Sequence, residues 1–164
     1  MFKALSDEDI SKFISNIVKY DELKEINASK LLANLPVVIL YETGPNFGHW
    51  TLLHRLDNGN VEFFDSYGFK PDDEFYVIEK KYQYPHYLWK LLVDISKLIL
   101  PDRIHYNEYH LQNSSDSRVA TCGRWVILRH ALKDMDIDKF NNAINLVSKR
   151  EGITPDELVT RVVK

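Results

Sequence analysis

The chain of 164 residues contains one cysteine, Cys122, so no disulfide can close within it. It also lacks a long apolar run: the longest spans about residues 35–41, far short of the roughly 20 needed to cross a bilayer. The opening residues Met-Phe-Lys-Ala-Leu-Ser-Asp-Glu-Asp lack the basic-then-apolar profile of a secretory signal. An excess of charge of one sign is lacking too, the net being −3, so nothing marks the chain as an obligate binder of nucleic acid or membrane surfaces. No repeat, low-complexity tract or linker is visible. These absences describe a soluble protein of a reducing compartment, folded as a single domain over residues 1–164.

What is present is a patterned sequence rich in aromatics (nine Tyr, eight Phe and three Trp). A chain of this size buries roughly two thirds of its unfolded surface. Ser6-Asp7-Glu8-Asp9 reads as a capping box, followed at helical spacing by Ile10, Phe13, Ile14 and Ile17. A short helix is expected over 21–26, a buried strand over 35–42 and a loop over 43–48. Segments 49–56 and 61–66, separated by Asp57-Asn58-Gly59-Asn60, form a strong hairpin signal. Leu88, Leu91, Leu92, Ile95, Leu98 and Ile99 mark an amphipathic helix stopped by Pro101. A third strand is expected over 103–111, then a polar loop. A mostly apolar helix starts at Cys122, and Thr154-Pro155-Asp156-Glu157 opens another. The fold class is therefore α+β: a small mixed sheet flanked by helices.

A lone cysteine is usually a small buried hydrophobe. Cys122, however, lies where a Ser-rich loop meets a helix start, with Gly123 behind it to let backbone approach a substrate. A free thiol has a pKa of about 8.5; a neighbouring histidine and a helix N-terminus can lower that to roughly 3–4. A thiol nucleophile needs such a base, and the base needs a group that fixes its tautomer.

His49-Trp50 opens a strand, Asp65 lies in Phe63-Phe64-Asp65-Ser66-Tyr67-Gly68, and Gln112 precedes Cys122-Gly123 and the apolar helix. That ordered set resembles the adenovirus maturation protease (adenain) and the related proteases of SUMO and ubiquitin-like proteins, of which similar members occur in virophages and other double-stranded DNA viruses. The resemblance covers roughly residues 37–132. It implies a papain-like or adenain-like fold and a cysteine endopeptidase with His49 as base and Asp65 as its orienter. Gln112 and the Cys122 backbone N–H would be the oxyanion donors, and Trp50 would line the substrate site. It further implies a polypeptide substrate, capsid or core precursors cleaved during virion maturation, and a location in the virion and host-cell cytoplasm. No cofactor, metal or membrane is expected, and the chain is expected to be a monomer.

Two features depart from that pattern. The interval from Gln112 to Cys122 is long, placing an insertion in the loop after Gln112 and making Asn113 a second candidate donor. No further cysteine is available for disulfide attachment of a peptide activator, and no basic stripe supports activation by DNA.

The hairpin tests the triad independently. A two-residue Asn58-Gly59 turn would put His49 and Asp65 on opposite faces of the sheet. A three-residue loop, Asp57-Asn58-Gly59 with Gly59 left-handed, sets Asp65 against Thr51 and makes His49 and Asp65 diagonal neighbours on one face. The three-residue loop is the expected one. Among the remaining groups, His105, Glu108 and His110 lack metal-ligand spacing, and His54 and His130 read as structural or exposed. Lys80, Lys81, Arg124, Arg129 and Lys133 read as solvated charges. Alternative functions are an isopeptidase for ubiquitin-like modifiers, an acyltransferase, and a non-catalytic interaction domain.

Overall fold

The computed structural model describes residues 3–44, 47–113 and 120–164. Five strands form one mixed sheet in the order β1 (Ile17–Lys19), β2 (Val37–Gly44), β3 (Phe47–Arg55), β4 (Val61–Phe64), β5 (Ile104–Tyr106). The inner pairs are antiparallel, while β1 on β2 and β5 on β4 are parallel. The α+β class, with a mixed sheet between helices, is as the sequence led one to expect.

Strand alternation divides the core in two. Val37, Ile39, Tyr41, Leu53, Val61 and Phe63 face one side. There they meet Leu31 of α2 (Ala28–Ala33) and Leu88, Leu91, Leu92 and Ile95 of α3 (Tyr87–Ile95). Val38, Leu52 and Phe64 face the other. They pack on Trp125 and Val126 of α4 (Cys122–Ala131), Phe140 and Ile144 of α5 (Ile137–Glu151), and Leu158 and Val159 of α6 (Pro155–Val162).

The helix starts follow local chemistry. Ser6 caps α1 (Asp7–Ser11), with Asp9 returning the bond, and Thr154 accepts from the Glu157 amide at α6. Several elements are shorter than their apolar spacing suggests. The first helix stops at Ser11, so Ile17 belongs to β1 and Phe13 is 62% exposed. Pairing explains the switch: the Val38 amide donates to Asn16 O (2.9 Å), and a parallel strand covers what would be the open edge of β2. The segment expected as a short helix over 21–26 is a 3₁₀ turn, Tyr20–Glu25. Strands β2 and β3 continue into the segment expected as a loop, α3 ends at Ile95 short of Ile99, and β5 is only Ile104–Tyr106.

The connection between β3 and β4 is the three-residue loop. The Gly59 amide donates to Leu56 O (2.9 Å), the Leu56 amide donates to Asn60 O (2.8 Å), and Gly59 has φ of +90°. Glycine bears that conformation without Cβ strain. Leu52 then pairs with Phe64 and Arg55 with Val61. Extended by one residue, this register sets Asp65 across from Thr51, two positions from His49 and on the same face.

Two arginines correct the expectation of solvated charge. Arg129 is fully buried and grips Glu62 through Nε (2.8 Å) and Nη2 (2.9 Å). Arg124 is buried too, donating to Val163 O (3.0 Å) and to Lys3 O. A guanidinium leaves water when its planar donors are matched by fixed acceptors.

Candidate functional site

The register brings His49, from β3, onto Asp65, which follows β4: Nε2 donates to Oδ1 at 2.7 Å. Both side chains are buried. Asp65 Oδ1 also accepts the Tyr67 amide (2.8 Å), and its backbone carbonyl accepts from Asn107 Nδ2 (2.7 Å), so both side chain and backbone of Asp65 are anchored. With Nε2 committed to Asp65, Nδ1 is the remaining ring nitrogen, and it is buried with no hydrogen-bond partner among the described residues. Burial pulls the imidazole pKa down, but the Asp65 charge and hydrogen bond, and then the Cys122 sulfur, raise it well above the ordinary histidine value.

Cys122 is the first residue of α4, where backbone N–H groups and the helix dipole favour a negative charge. Its sulfur also accepts from the Trp50 amide at 3.5 Å. An imidazole oriented by a carboxylate beside a thiol at a helix start can take the thiol proton.

Gln112 is brought to the same place by contacts that sequence spacing does not reveal. Its amide donates to Ser66 O (3.0 Å), and its Oε1 accepts from Ser66 Oγ (2.7 Å). That leaves the Nε2 group as the outward donor, 3.5 Å from Tyr67 Oη. Residues 114–119, most of the 114–121 loop expected to carry an insertion, lie outside the described residues. The two stems of that loop are nonetheless tied to one carboxylate. Asp156 accepts from the Asn113 amide (2.9 Å) through Oδ2, and from Thr121 Oγ1 (2.6 Å) and Trp125 Nε1 (3.0 Å) through Oδ1. Asn113 is exposed, its backbone engaged with Asp156.

A cleft of about 880 Å³ runs past His49, Trp50, Tyr67, Glu74, Gln112 and Cys122. Trp50 is thus at the cleft, with its indole Nε1 donating to Leu5 O (3.2 Å). Gly123 is buried behind Cys122. A Cβ there would meet Leu5 Cβ at 3.1 Å, Ile10 Cδ1 at 3.2 Å and Trp50 Cδ1 at 3.4 Å. Its missing side chain makes room for Leu5 and Ile10 of the N-terminal segment and for Trp50.

Four residues of the site were not found by sequence reasoning. Tyr67 stacks on His49, with centroids 4.2 Å apart and planes at 13°. Ser66 clamps Gln112, and Asn107 braces the Asp65 backbone. Glu74 is a buried carboxyl on the cleft wall, its Oε2 without a hydrogen-bond partner among the described residues. For Ser66 and Tyr67 a signal existed, since both follow Asp65 directly. For Asn107 and Glu74 there was none. His105 and His110 are exposed, and among the described residues the three-residue group spaced to hold a metal ion is His49, Asp65 and Glu74 instead.

No known family model matches the chain. Among curated proteins it is 34% identical, over 173 aligned positions covering 97% of this chain and 93% of the relative, to "Uncharacterized protein V9" of Sputnik virophage.

Proposed function

This chain belongs to the family of the virophage protein V9, and from that premise and the site geometry we propose that it is a cysteine peptidase acting through Cys122, His49, Asp65 and Gln112. The observation that carries the reading is the 2.7 Å His49–Asp65 bond. It commits one ring nitrogen and leaves the other for the thiol at the start of α4. The His49 Nδ1 takes the proton from Cys122, and the thiolate adds to the scissile carbonyl. The Gln112 side-chain amide and the Cys122 backbone N–H stabilise the resulting oxyanion. Collapse of that intermediate expels the amine, which receives the proton from His49, and water then hydrolyses the thioester with His49 as base. Asp65 supports the imidazolium, and Tyr67 lies flat against it, where a ring face favours a cation.

The arrangement of these groups along the sequence, together with a virophage relative, points to viral capsid or core precursors as substrates. An adenain-like fold is part of the same proposal. The test is incubation of the purified chain with candidate capsid precursors and, in parallel, with precursors of ubiquitin-like proteins. Cleavage of the former that vanishes in Cys122→Ala is the expected result. Cleavage of the ubiquitin-like precursors alone would make the chain an isopeptidase, and cleavage undiminished in Cys122→Ala would remove the thiol mechanism.

A further inference from the structure

Glu74 has no part in the reaction above, yet it stands beside its base. The side chain is 5% exposed, and Oε2 has no hydrogen-bond partner among the described residues. One ligating atom each from His49, Asp65 and Glu74 lies within 4.8 Å of the others, all three residues being buried. Two buried carboxyls thus stand around one imidazole on the wall of the cleft. An unpaired buried acid at that position costs stability unless something binds it.

We propose that His49, Asp65 and Glu74 form a zinc site that switches the cleft off. One imidazole nitrogen with two carboxylates is a donor set suited to Zn²⁺, with water as a fourth ligand. Zinc bonds of about 2.0–2.2 Å in a tetrahedron separate the ligand atoms by roughly 3.4 Å. The His49–Asp65 pair therefore opens from 2.7 Å, and Glu74 closes in. The metal bonds to His49 Nε2 and displaces its proton, which passes to solvent from the imidazolium or, from the neutral ring, moves to Nδ1. The neutral imidazole then holds its one proton on Nδ1, the nitrogen that would otherwise accept from Cys122. Zinc thus fixes the tautomer that cannot serve as base. The inhibition rests on the peptidase reading; the binding does not.

The binding test is calorimetric titration of Zn²⁺ into Cys122→Ala, which removes the thiol as a competing ligand, and into Cys122→Ala with Glu74→Gln. One ion per chain is expected in the first, and affinity at least tenfold weaker in the second. No binding to the first, or equal affinity in both, overturns the site. Nitrogen NMR of the histidine side chains in Cys122→Ala gives a readout that needs no change at Glu74. Zinc should shift His49 Nε2; a shift at Nδ1, or at His105 or His110 instead, overturns the proposal. In the unaltered chain, zinc should slow peptide cleavage and alkylation of Cys122. Binding without cleavage of any peptide would sink the peptidase reading while leaving the metal site standing, and binding without slowed alkylation would overturn the switch.

Discussion

Strand β3 carries two buried histidines that each reach a carboxylate on the β4 side, and the two pairs behave in opposite ways. His49 meets Asp65 at 2.7 Å, and His54 meets Glu62 at 2.9 Å. Burial opposes protonation in both. At His49 the Asp65 charge and the Cys122 sulfur overcome it, and the pKa rises. At His54 it wins and the pKa falls, because Arg129 spends much of the Glu62 charge and, with Lys133, repels a second cation. His54 also shares its other nitrogen with His130, at 3.1 Å between the Nδ1 atoms. The His49 pair opens on a cleft beside a thiol, whereas the His54 pair is closed by a bidentate guanidinium. A histidine–carboxylate pair is therefore not a site by itself. The third group decides whether it does chemistry or holds the fold.

The sharpest break in that comparison is Asp65→Asn. Loss of the orienting charge should lower peptide cleavage by about 10³–10⁴ with the fold intact, measured as kcat/KM alongside a thermal melt. At the other pair, Arg129→Met strands the Glu62 carboxylate and should destabilise the chain by about 3–5 kcal/mol, read by urea unfolding, and should leave cleavage by the folded fraction unchanged. Gln112→Ala should cost about 10²–10³ in kcat with little change in KM, as expected for a donor that acts on the oxyanion.

The smallest effect concerns pH. Burial, then the neighbouring His54 and Lys133, lower the pKa of His130 to about 4. The unfolded chain takes up a proton near the ordinary value of about 6.5, whereas the folded chain refuses it until pH nears 4. Stability should thus be full above that ordinary value and decline as pH falls toward 4. Urea midpoints against pH should show a shallower acid decline in His130→Gln.

The hairpin was legible because a choice between two loops decided which face Asp65 would take, and only one choice placed it with His49. The start of α4 at Cys122 and the caps at Ser6 and Thr154 were legible because capping and polar-to-apolar changes act over a few residues. The Ser66–Gln112 clamp spans 46 positions, and no local pattern encodes a contact that distant. Arg129 misled for a related reason: an arginine reads as solvated until its partner is known, and Glu62 is placed beneath it only by strand alternation. Ile17 fitted a helical spacing, but three residues of parallel strand are too short to register against it. Glu74 lies in a segment of lysines, acids and tyrosines whose 3₁₀ turn, Asp73–Tyr76, has no periodic signature.

The central claim is that His49 activates Cys122, and the most direct test is the rate at which iodoacetamide alkylates Cys122 at about pH 6, where a free thiol of pKa about 8.5 is almost wholly protonated. The account predicts rapid labelling of the unaltered chain and a rate lower by at least about tenfold in His49→Ala. Equal, slow labelling of both, rising only as an ordinary thiol ionises, would contradict it.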